Sequence, residues 1–84
     1  MTFYLLTAAT DHESEDPVFL AATLDEAKAA AQLPGPGAGA PDEFCIYEAQ
    51  PGTRPELILY NDVSRTWDAA THQTVYDLRG WTPA

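Results

Sequence analysis

Positive charge is what this chain has least of. Four lysines and arginines stand against thirteen acids in 84 residues, for a formal charge of −9. Direct nucleic-acid binding is therefore not expected, because neutralising phosphates requires a basic footprint. Anionic membrane surfaces are disfavoured for the same reason. The single cysteine, Cys45, permits no internal disulfide. The two histidines, His12 and His72, lie far apart in the chain, and no third nitrogen or thiolate joins them at a metal-ligand spacing. No apolar run is long enough to span a bilayer. The apolar start, Met1 to Ala9, has no basic n-region, so a secretory leader is not expected and the chain reads as cytoplasmic. Gly35, Gly37 and Gly39 follow a helix instead of joining a strand to one, and no Lys-Ser/Thr comes after them. That order does not make a phosphate loop, and no cofactor is expected.

Apolar residues make up 45% of the chain, enough for a globule and too many for a disordered acidic tail. The length allows one domain, 1–84, with one modest core. Thr23 to Leu33 is the clearest element. In Thr23-Leu24-Asp25-Glu26 the threonine hydroxyl can accept from the Glu26 N–H while the glutamate reaches back, a capping box. Asp25 and Glu26 also oppose the positive end of the helix dipole. Pro34-Gly35 should stop the helix. Leu24, Ala27, Ala30 and Ala31 share one stripe, with Asp25, Lys28 and Gln32 opposite. A helix this short needs packing on something flat.

The flanking apolar runs supply that surface. Phe3 to Thr7 reads as a central strand, and Val18 to Ala22 as its hairpin partner across an acidic loop. Residues 34–41 form a Pro/Gly/Ala connector inside the domain. Phe44 to Ala49 reads as a strand with Phe44 and Ile46 on one face and Cys45 and Tyr47 on the other. The Pro51-Gly52 turn joins it to Leu57 to Tyr60, which Asn61-Asp62 should end. Val63 to Gln73 gives the weakest pattern and fits either a short helix from Ser64 to Ala70 or a long loop. Thr74 to Leu78 alternates as an edge strand would, and Trp81 should pin the tail. The expected fold is α+β: an antiparallel sheet of four to five strands in the order β-β-α-β-β, with a fifth strand after it and one short helix packed on one face.

Six of the thirteen acids precede residue 34, and residues 1–43 carry −7 against −2 for the remainder. Asp11, Glu13, Glu15 and Asp16 form the densest cluster. Alternating oxygen ligands there resemble a calcium loop, but the sixth and twelfth positions are Asp16 and Ala22 where glycine and glutamate are required. A solvated turn or a partner-facing acidic patch fits better. Trp67, Tyr76 and Trp81 are anchor-type side chains, equally at home in a core. Cys45 lies in an apolar run and reads as a small buried side chain. No serine stands in a nucleophile-elbow context, so no catalytic residue is assigned.

A ten-residue alanine-lined helix covers only part of a sheet, and an uncovered aromatic face marks an interaction site. The function expected is a non-enzymatic module that docks on a larger, basic protein partner, as an inhibitor or a mimic of nucleic-acid charge. The alternative is an accessory subunit that forms a homodimer or larger homo-oligomer through the exposed sheet face. The candidate partner-binding residues are Asp11, Glu13, Glu15, Asp16, Trp67, Tyr76 and Trp81. Thr23→Ala is expected to lower stability by about 0.5–2 kcal/mol in urea melts; an unchanged midpoint removes the capping assignment.

Overall fold

A computed structural model describes residues 1–10, 15–34 and 39–84. Among them the chain order is β1 (Phe3–Ala9), β2 (Asp16–Ala21), α1 (Leu24–Ala30), β3 (Glu43–Ala49), β4 (Glu56–Asp68), β5 (Gln73–Leu78) and β6 (Thr82–Pro83). The strands form one antiparallel sheet in the order β2-β1-β3-β4-β5, with β6 also paired to β4. The fold is α+β, a sheet curled toward a half-barrel with one short helix.

The helix starts as its capping box requires. Thr23 is extended, its hydroxyl accepts from the Glu26 N–H at 3.2 Å, and it donates to Glu26 Oε1 at 3.0 Å. Its end differs from expectation. Regular helix stops at Ala30, with Ala31 as the C-cap, so α1 has seven residues and Gln32 and Leu33 lie beyond it. Ala27 and Ala31 are buried and Leu24 and Ala30 half-buried, which is the expected apolar stripe. The helix lies over β1 and β2.

Register fixes the two faces of the sheet. Leu6 lies beside Phe19 and Ile46, and Ile46 beside Leu59. Cross-strand partners share a face, and this face, with Ala8, Phe44 and Ala21, is the one beneath α1. Buried Leu6, Ile46 and Phe44 form the core with Ala21, Ala27 and Ala31.

Val63 to Asp68 is neither helix nor loop. β4 runs unbroken through Asn61-Asp62 for thirteen residues, about 43 Å at strand rise. Its first half pairs β3 and its second half pairs β5. The closing strands β5 and β6 both run antiparallel to β4, and one residue of register is lost between them, since Val63 faces Leu78 whereas Tyr60 faces Thr82. This is a β-bulge. Gly80 has φ +119, which L side chains rarely adopt, and its N–H donates to Asn61 Oδ1 at 2.9 Å. The bulge turns Trp81 into the core beside Leu59 and Val63. Trp81 thus anchors the tail from within, as expected, and fills the layer that α1 leaves open.

Asn61 is buried on the core face, and the bulge is its reason for being there. Asn61→Ala is expected to cost about 0.5–1.5 kcal/mol, because the Gly80 N–H loses its acceptor, and to loosen the last residues first. Urea melts with amide exchange at Gly80 and Ala84 test this; a neutral effect removes Asn61 as the anchor of the tail.

Candidate functional site

The sheet face opposite α1 is covered by no helix or strand of the described residues. Across it the register lines up Leu20, Leu5, Tyr47 and Leu57, one from each of β2, β1, β3 and β4. Leu5 and Tyr47 are half-buried, and Leu20 and Leu57 are exposed. The next row, Thr7, Cys45 and Tyr60, is tighter, with Thr7 and Cys45 buried. Beyond it Glu43 faces Asp62. Like charges directly opposite on a sheet repel, and among the described residues no ion pair relieves these two.

Glu15 lies over this face. Its Oε2 accepts from the Tyr47 hydroxyl at 2.7 Å and the Thr7 hydroxyl at 3.0 Å. These bonds fasten the start of β2 to the open face. Beside them the Cys45 thiol donates to Glu43 Oε1 at 3.1 Å. Burial pushes Cys45 up from 9.0 to about 12, and the Glu43 hydrogen bond adds to the rise. The bond to Glu15, with burial second, raises Tyr47 from 10.0 to about 12. Both acidic protons are held on their atoms, so the thiol is a structural donor and not an activated nucleophile. The expectation of a small buried side chain holds for Cys45.

No protein-family model, curated protein or solved structure matches the chain.

The candidate partner-binding residues separate. Asp11 and Glu13, with His12, lie outside the described residues. Glu15 belongs to the open face, and Asp16 is exposed at the start of β2. Trp67 and Tyr76 sit on the far hairpin of β4 and β5, on one face, since Trp67 faces Thr74 and Arg65 faces Tyr76. Trp67 is 62% exposed and its ring meets His72 edge-on at 6.3 Å. The Arg65 guanidinium lies 6.0 Å from the Tyr76 ring centre and pairs with Asp42. Trp81 is committed to the core and is not brought together with the others.

The row of Leu20, Leu5, Tyr47 and Leu57 is the feature that reading the sequence missed. Each residue sits in a recognised apolar run, but their alignment depends on two bulges, one at Leu6/Thr7 against β2 and one at Ile46/Tyr47 against β4. Among the described residues no group of three or more His, Cys, Asp or Glu is placed to hold a metal ion. No helix among them is long and apolar enough to cross a membrane.

Raised values mean that the neutral thiol and phenol favour the folded state. Their contribution is complete below pH 9.0 for Cys45 and 10.0 for Tyr47, and is lost as pH rises through about 12. Stability is therefore expected to fall across that range, and Tyr47→Phe to fall less steeply above pH 10.0. Urea melts at stepped alkaline pH test this; parallel profiles for the two proteins remove the Tyr47–Glu15 bond as a pH-sensitive element.

Proposed function

We propose that this chain is a small acidic protein-interaction module, without catalytic chemistry of its own, that docks on a basic protein partner through the open face of its sheet. One arrangement carries the reading: the apolar row of Leu20, Leu5, Tyr47 and Leu57 bordered by Glu15, Glu43 and Asp62. An apolar strip supplies affinity when it is dehydrated. An acidic border repels like-charged competitors and steers a positive surface toward it. Glu43 and Asp62, paired across β3 and β4, give that border two acids for cationic groups of a partner to meet.

Charge mimicry belongs to this reading as its sharper version. With −9 on 84 residues, the chain competes for a groove built to hold phosphates, and its partner is then a nucleic-acid-binding protein held as by an inhibitor. Self-association through the same face would instead bring two acidic borders together.

The test is retention of a discrete basic protein from host lysate on the immobilised chain at low ionic strength. Retention should fall steeply as salt rises, because exposed charges more than about 10 Å apart are screened near 0.1 M. Leu57→Asp should abolish it, whereas Gln32→Ala, beyond the helix on the other side, should not. Salt-independent capture, or capture indifferent to Leu57→Asp, overturns the reading.

A further inference from the structure

β2 is an edge strand paired with β1 alone, so the backbone groups on its outer side have no strand partner among the described residues. Three consecutive large apolar residues lie on it, Val18, Phe19 and Leu20, exposed by 48%, 44% and 61%. Register puts Phe19 on the helix side, beside Leu6, and Leu20 on the open face, beside Leu5. Apolar side chains therefore flank the edge above and below. The opposite edge is different: β5 carries Asp77, and Pro34 lines a shallow cleft with Gln73 to Tyr76.

The edge has defined ends. Pro17 supplies no N–H, and the bulge at Leu6/Thr7 leaves Val18 out of the β1 register; both features obstruct strand pairing. The stretch left to accept a strand is Phe19 to Ala22. Exposed acidic residues flank it in the chain, Asp16 before and Asp25 after, while the Glu15 carboxylate is held by Thr7 and Tyr47 and that of Glu26 by Thr23. A second copy would bring two surfaces of one sign together, since residues 1–43 carry −7, which like-charge repulsion opposes. The same flanking acids suit a strand with positive ends.

We propose that the β2 edge is a strand acceptor, to which an extended segment of a partner protein adds as a further strand, apolar at its centre and carrying lysine or arginine at both ends. Backbone hydrogen bonds to Phe19–Ala22 supply register, Phe19 and Leu20 take alternate side chains of the added strand, and the flanking acids Asp16 and Asp25 select its termini. This rests on the basic-partner reading above and gives that partner a backbone geometry.

The probe is a capped synthetic peptide with two arginines at each end of a Val-Thr-Val-Thr centre, titrated into the full chain. Its controls carry glutamates in place of the arginines, or N-methyl groups on all four central amides. Binding of the arginine peptide should protect amides between Phe19 and Ala22 from hydrogen exchange. N-methylation should weaken it about tenfold or more, since each hydrogen bond removed is worth up to about that factor, and the glutamate peptide should not bind. If the N-methylated peptide binds as tightly and shifts resonances of Leu5, Tyr47 and Leu57, the strand acceptor is overturned while the basic-partner reading stands. If arginine and glutamate peptides bind alike, charge selection fails and both readings fall with it. No binding of the arginine peptide, or sedimentation of the free chain as a dimer with Phe19–Ala22 already protected, overturns the edge proposal.

Discussion

One strand does the work that a second layer of helices does in a larger domain. β4 is shared end to end, with β3 along its first half, β5 along its second, and β6 returning to its beginning. A small chain cannot bury enough apolar surface to hold separate layers, and a shared strand avoids that requirement by joining β3, β5 and β6 through one hydrogen-bonded spine. The cost about the spine is that the second half of β4 and β5 project with little beneath them, and the molecule extends 50 Å in its longest direction.

The bulge at Gly80 and Trp81 reconciles the spine with the core. Without the lost residue of register, the tail would present Trp81 to the wrong side of the sheet. With it, the indole joins Leu59, Val63 and Leu33 on the side that α1 covers incompletely. Core and open face are therefore decided together: the material that could have covered the second face is spent on the first. What remains on the second is a row of apolar side chains with carboxylates along its margin, and the bonds from Thr7 and Tyr47 to Glu15 keep the start of the edge strand tied to that row.

Some of this was legible along the chain and some was not. The start of the helix was, because capping is local: Thr23 and Glu26 need only each other. Its end was not, because Gln32 and Leu33 are good helix formers and nothing local forbids continuing to Pro34. Both hairpins were visible as apolar runs separated by turn residues. The continuation of β4 was hidden by Asn61 and Asp62, which read as a stop; yet Leu59, Asn61, Val63, Arg65 and Trp67 alternate correctly once Asn61 is recognised as a buried partner of the Gly80 N–H. A polar residue in the core is explained only by its partner, nineteen residues away. The acidic bias was plain from composition, whereas the apolar row needs the register of four strands, which no single segment contains.

The two tryptophans were alike as sequence and have opposite situations in the fold. Trp81 is packed against the core, and Trp67 stands largely in solvent near the turn of the far hairpin with the His72 ring at its edge. The molecule consequently carries two intrinsic optical probes in different dielectric surroundings, one reporting on the body and the other on the hairpin. Loss of the tail and fraying of the hairpin, which change the same backbone spectrum, become separable by the colour and quenching of their emission.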